Sequence, residues 1–172
     1  MLKITGVILC VLGCTGYGVL KISGWKKALE EFEQWVLLFE KMKSHIYYQR
    51  DAIAEVCCRM EQNIYGLGGR YVAKVGDDLQ NDRTKSFFEA WNEHMNRWDK
   101  LSYLPNEIRL MIRDFPNYIG EQNYEQQISY LEFYLDRLRN EKKVFEKQVR
   151  EKQKPVMTIS FVSGMAIAIL LI

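Results

Sequence analysis

Residues 4–20 and 156–172 form two apolar stretches of 17 residues each, and neither contains a charged side chain. A chain segment in hydrocarbon has to satisfy its own backbone hydrogen bonds, so stretches of this kind are helices, and about 17 residues is the lower limit for a span. Lys3 and Lys21 can lengthen the first by snorkelling, while the second runs to the last residue. Lys21, Lys26 and Lys27 follow the first stretch and Arg150, Lys152 and Lys154 precede the second, with only Lys3 on the far side. Basic flanks stay in the cytoplasm. The expected organisation is a transmembrane helix over 1–20, a cytoplasmic domain over 21–154 and a transmembrane helix over 155–172.

Two other readings of the N-terminus exist. Residues 1–12 have the short basic start and apolar centre of a signal peptide, and Val11-Leu12-Gly13-Cys14 resembles a lipobox that would make Cys14 a lipidated N-terminus. Lys26 and Lys27 oppose export. Within the spans, Gly6, Cys10, Cys14 and Gly18 recur every four residues, and so do Ser160, Gly164 and Ala168. Small residues on one face let two helices approach closely in lipid, so these seven are candidates for helix packing. The alternative is that small residues are simply frequent in membrane helices.

Between the ends, helical periodicity dominates. Trp25, Leu29, Phe32, Val36, Phe39, Met42 and Ile46 make one apolar stripe. After a tight connection at 47–50, Asp51 is placed to cap a helix burying Ile53, Val56, Cys57, Met60 and Ile64. Gly66-Leu67-Gly68-Gly69 reads as a loop, followed by a short helix facing inward through Val72, Val75 and Leu79. A fourth helix over 84–98 gathers Phe87, Phe88, Trp91, Met95 and Trp98, and Pro105 opens a fifth with Ile108, Ile112 and Phe115. The last, over 123–154, keeps Tyr124, Ile128, Leu131, Leu135, Leu138, Phe145 and Val149 in a stripe interrupted at Lys142, and Asn123 with Gln126 has the form of a capping box. Strand-type alternation is scarce, so the fold expected is all-α: an antiparallel bundle of about six helices flanked by N- and C-terminal transmembrane helices.

Catalytic constellations are missing. The balance of 24 basic and 22 acidic residues, net +2, lacks the excess of a nucleic-acid binder. His45 and His94 are isolated, the glycines at 66, 68 and 69 precede no Gly-Lys-Ser/Thr, and the acidic residues sit at helix-surface spacings beside cations. Cys57 and Cys58 lie where thiols are normally reduced. No enzyme activity, cofactor, metal or small-molecule substrate is therefore expected. One charge feature stands out: residues 137–154 hold eight basic against three acidic side chains. Lys142, Lys143, Lys147, Arg150, Lys152 and Lys154 are candidates for anionic lipid, worth about 1 kcal/mol each near a charged surface, unless they serve only as a topology signal.

Several strings together resemble the stage III sporulation protein AB family of endospore-forming bacteria. That family's opening Met-Leu-Lys and first membrane helix look like residues 1–20. Its first helical hairpin, with a Glu-Ile-x-Tyr-like turn, is similar to Ser44-His45-Ile46-Tyr47-Tyr48 followed by Asp51-Ala52-Ile53, and its Ala-Trp pair corresponds to Ala90-Trp91. The string Leu-Gly-x-x-Asp-x-x-x-Gln is similar to residues 119–127, with Gly120, Asn123 and Gln127 at its defined positions; Asn123 replaces the usual Asp, Pro116 stands where the family is helical, and Lys154-Pro155-Val156 departs from the usual entry into the last helix. The resemblance implies a platform or scaffold component of the sporulation transenvelope channel, in the mother-cell membrane around the forespore. It implies a cytoplasmic domain like that of the inner-membrane platform proteins of type II secretion and type IV pili. The implied partners are a secretion-type ATPase, stage III sporulation protein AA, and the other AA to AH components. The competing expectation is a membrane-bound helical sensor or regulator that responds to lipid or redox state.

Overall fold

Six α-helices follow one another among the described residues: α1 (Leu2–Ser44), α2 (Ile53–Cys58), α3 (Gly66–Asn81), α4 (Phe87–Asp99), α5 (Asn106–Arg113) and α6 (Tyr124–Leu171). The computed structural model describes residues 2–49, 52–61, 65–82, 84–119 and 124–171, except for the side chains of 2–12, 14, 15, 124, 154, 157, 161, 164 and 167–171. No strand occurs among the described residues, as the scarcity of alternating patterns requires. Two compact units are present: Ala28–Lys143, and Met1–Lys27 together with Val144–Ile172.

The larger unit closes around aromatic side chains. Trp35 of α1 packs its ring against Phe39 at 5.4 Å and meets Trp98 of α4 edge-on at 4.9 Å. Phe39 in turn touches Phe115 at 4.4 Å and Tyr134 of α6 at 5.2 Å, and Trp91 lies 5.0 Å from Phe115. Edge-on and tilted arrangements suit the ring quadrupoles, and each ring hides a large apolar area. Phe32, Val36, Phe39, Met42 and Ile46 of the expected α1 stripe are buried, while Trp25 and Leu29 are only half-buried. Trp35 and Leu38, outside that stripe, are also fully buried, because α1 is covered over a wider arc than a single row. Glu33, Glu40 and Lys43 of α1 pair with Lys142, Arg139 and Glu132 of α6, so within this unit the two helices run antiparallel.

The structure corrects the reading of the glycine string. Residues 66–69 are not a loop; they form the first turn of α3. Gly66 has φ +55°, the left-handed value that favours glycine, and Gly68 is buried where a Cβ would lie 2.7 Å from the Trp35 ring. The string therefore lets a helix begin directly against an indole. Phe88 is corrected too: α4 begins at Phe87 behind a complete Ser86/Glu89 capping box, which turns Trp91, Met95 and Trp98 inward and leaves Phe88 exposed. Pro105 precedes α5 as expected, and Ile108, Ile112 and Phe115 are buried. Helix α6 continues past Lys154 with Pro155 inside it, at the cost of one backbone bond.

Among the described residues no helix is long and apolar enough to cross a membrane, and the flanking transmembrane helices expected from the sequence are not confirmed. Much of the sequence that raised that expectation, including residues 4–12 and 167–172, lies outside the described side chains. Asp51, Gly120 and Asn123 lie outside the described residues as well.

Candidate interaction surfaces

In the smaller unit, α1 up to Lys27 meets α6 from Val144 onward. Gly18 is buried, and a Cβ on it would lie 2.7 Å from Ser160 Oγ and 3.0 Å from Ser160 Cβ. Only a residue without a side chain permits that approach, so two of the expected packing residues face each other here. The side chains at positions 6, 10, 14, 164 and 168 (Gly6, Cys10, Cys14, Gly164 and Ala168) lie outside the described set. Pointing away from the contact are Tyr17, Val19, Leu20, Ile159, Val162 and Met165, with Leu20 73% and Ile159 66% exposed. Scattered single apolar residues on a surface need no explanation, but here six large ones lie exposed on two adjoining helix segments.

This unit also concentrates cations, with eight lysines and arginines against two glutamates, Glu146 and Glu151. Lys21 reaches over the Tyr17 ring at 5.9 Å, Arg150 pairs with Glu146, and Lys147 stands 3.9 Å from Glu151. Lys26 and Lys152 are exposed. Of the other lipid candidates, Lys142 and Lys143 belong to the larger unit, where Lys142 is occupied by Glu33 at 3.2 Å, and the side chain of Lys154 lies outside the described set.

On the larger unit, a groove of about 460 Å³ is lined by Glu40, Lys43, Ser44, Tyr47, Tyr48, Glu132, Leu135 and Arg139. Two ion pairs frame it: Lys43 Nζ lies 2.6 Å from Glu132, and the Arg139 guanidinium 2.7 Å from Glu40. The carboxylates of Glu40 and Asp136 raise the Arg139 pKa further, so this cation is permanent. Helix α1 ends in a π-helical turn, His45–Gln49, which shifts the register at its tip. Tyr47 and Tyr48 meet edge-on at 4.8 Å there, and Tyr48 is 78% exposed. Tyr47 and Tyr48, expected to lie in a tight connection over 47–50, thus shape one end of the groove. Gln127 is half-buried on α6 and is absent from its lining.

Two polar groups lie inside the larger unit, one around Glu31, which no sequence pattern singles out, and one around His94, which the sequence shows only as an isolated histidine. Glu31 is buried and accepts from Trp98 Nε1 at 3.0 Å and from the Tyr103 backbone N–H at 2.8 Å, tying α1 to the end of α4 and the segment after it. Burial raises its carboxyl pKa, although the Tyr103, Ser102 and Trp98 donors pull the other way. His94 is buried with Nε2 2.9 Å from Asp78 Oδ2, and Lys85 Nζ bridges Asp78 at 2.7 Å and Glu93 at 2.6 Å. The Lys85 and His94 hydrogen bonds hold the Asp78 carboxyl below the usual range. Cys57 is buried, and desolvation with the neighbouring Cys58 raises its thiol pKa far above the ordinary value; partial burial and Asp77 raise Cys58. Both thiols are held protonated, which is the unreactive form. No three metal-ligating side chains come together among the described residues.

An aromatic-cored helical unit, joined in one chain to a basic, apolar-surfaced helix pair, defines an all-helical protein whose polar groups tie helices together or frame a surface groove. The family comparison makes this specific. The stage III sporulation protein AB family matches residues 3–172, essentially the whole chain, and the chain belongs to it: this is a stage III sporulation protein. No curated protein and no solved structure gives a match.

Proposed function

We propose that this sporulation protein is a non-catalytic platform, anchored through both chain ends in the mother-cell membrane around the forespore, with the Ala28–Lys143 unit on the cytoplasmic side docking a secretion-type ATPase. The observation that carries the reading is the contrast between the units. One has an aromatic core of fully buried side chains around Trp35, Trp91 and Trp98, with Tyr48, Phe88 and Phe133 among the exposed residues at its surface, whereas the other presents Leu20, Ile159, Val162 and Met165 outward and holds a cation excess. Family membership supports the sporulation context, and the Tyr47/Tyr48 groove offers aromatic and permanently charged groups of the kinds that anchor protein partners. A regulatory role through thiol chemistry draws no support from Cys57 and Cys58, whose thiols are stabilised in the protonated state.

Two experiments on the full-length, membrane-embedded chain test this. A Lys74→Cys variant, with the four native cysteines replaced by serine, carries its thiol on an exposed face of α3. It should react with an impermeant maleimide in inside-out vesicles and stay unlabelled in intact cells; labelling from outside overturns the orientation. The chain should also co-purify with stage III sporulation protein AA, and Tyr48→Ala with Arg139→Ala should abolish that association. Failure of the unaltered chain to bind the ATPase removes the docking role.

A further inference from the structure

The whole chain's net charge of +2 conceals two opposed populations. The larger unit carries 16 basic and 20 acidic residues, while the smaller carries eight basic and two acidic. Both segments of the smaller unit join the rest of the chain at residues 27 and 144, so they run antiparallel from that end. The Gly18–Ser160 contact then fixes their register. Counting from it, Lys26 stands opposite Lys152, and Lys21 lies between that level and the contact. Beyond Lys21 come the exposed apolar residues Leu20, Tyr17 and, on the other segment, Ile159 and Val162.

We propose that Lys21, Lys26 and Lys152 form a two-helix collar that binds the phosphates of anionic phospholipids whose acyl chains cover the apolar surface beside it. This inference rests on the membrane-anchored reading and names the lipid class that reading leaves open. Three features distinguish it from a charge run on one helix. The cations come from both helix segments, at levels set by the glycine–serine contact. Lys21 adjoins Leu20 in sequence, and Lys26 and Lys152 share one level about 8 Å further along the helices. The two glutamates of the unit face other cations, Glu146 pairing with Arg150 and Glu151 standing 3.9 Å from Lys147. A lysine beside an anionic surface contributes about 1 kcal/mol, which is about fivefold in lipid preference for each one removed. Arg150 and Lys142, which the sequence pattern places among the lipid candidates, are instead occupied by Glu146 and Glu33.

The test uses the full chain in nanodiscs of equimolar phosphatidylglycerol and phosphatidylcholine, released into the gas phase and weighed with its retained lipids. The unaltered chain should retain phosphatidylglycerol at least about fivefold over phosphatidylcholine, and a Lys21→Gln/Lys26→Gln/Lys152→Gln variant should fall to within about twofold of parity. A control variant, Lys74→Gln/Lys100→Gln, changes exposed lysines of the other unit and should keep the preference. Unchanged far-ultraviolet circular dichroism in both variants establishes that the helices persist. Equal retention of the two lipids by the unaltered chain overturns the collar, and so does a triple variant that keeps the preference. A chain that fails to enter nanodiscs of either lipid overturns the membrane-anchored reading itself, and the collar with it.

Discussion

Glu31 offers the sharpest test of how the larger unit is held together. Its two carboxylate oxygens serve different elements, Oε1 accepting from the fully buried Trp98 indole and Oε2 from the Tyr103 backbone. In Glu31→Ala the Trp98 indole N–H loses its acceptor in the interior and the Tyr103 backbone N–H loses its acceptor at a part-buried site. Each orphaned donor costs about 1–3 kcal/mol, so the expected loss is about 3–4 kcal/mol, a large share of the stability of a small domain. Glu31→Gln keeps one oxygen and turns an amide N–H toward the other donor, and should lose about 1–2 kcal/mol. Denaturant titration of the solubilised full chain, followed by the fluorescence of Trp35, Trp91 and Trp98, reads both. The pH dependence adds a sign. Burial raises the native pKa of Glu31, so the folded state holds its proton more tightly than the unfolded chain does. Its contribution is fully present below the unfolded pKa of about 4.3 and is lost as pH rises through the native value. The stability of the unaltered chain relative to Glu31→Gln should accordingly fall as pH rises above that range. An alanine variant that loses less than about 1 kcal/mol, or that matches the glutamine variant, refutes the two-donor argument.

Two further perturbations follow from the same unit. At Gly76 a Cβ would lie 2.5 Å from the Cys58 backbone nitrogen and 2.7 Å from the Ala54 carbonyl oxygen, neither of which can swing aside. Gly76→Ala should therefore destabilise by about 3 kcal/mol in the same denaturation assay, exceeding any gain in helix propensity, and a neutral result would disprove the close contact between α2 and α3. Asp78, whose pKa is lowered by Lys85 and His94, has the opposite linkage to Glu31. Its contribution is present above the unfolded value of about 3.9 and lost as pH falls through the native one, so the advantage of the unaltered chain over Asp78→Asn should shrink in acid; an advantage that grows in acid reverses the assignment.

The helices were legible because each carries several apolar residues at the 3.6 period, and α1, α4 and α6 kept their registers in the fold. What the period could not show is how far round each helix the cover extends. Trp35 lies off the expected row, yet it is the ring on which Phe39, Trp91 and Trp98 converge, because α1 is enclosed on more than one side. The glycine string misled for a related reason. Glycine signals a break when backbone freedom is the issue, and close packing when a neighbour occupies the place of a side chain, and the sequence does not distinguish these. In the chain, Gly66 serves the first purpose and Gly68 the second, two residues apart.

The surfaces were legible only in part, because charge was read along one helix when it is organised by unit. The run at 137–154 holds eight cations and offers six of them as lipid candidates, but ion pairing removes Lys142 and Arg150 from that set, and antiparallel contact adds Lys21 and Lys26 from more than a hundred residues away. Pairing partners decide which cations remain available, and those partners are set by tertiary contact alone. The same logic applies to the groove, where Glu40 and Arg139 are 99 residues apart in sequence and 2.7 Å apart in space. Its two ion pairs cancel in net charge, so a partner docked there in the proposed role is selected by shape and aromatic surface. The cation excess of the other unit acts instead as a field, and a field selects a charged surface such as a bilayer. In the platform role proposed above, the chain separates two kinds of recognition, steered adhesion through its basic helix pair and shaped contact on its larger helical unit.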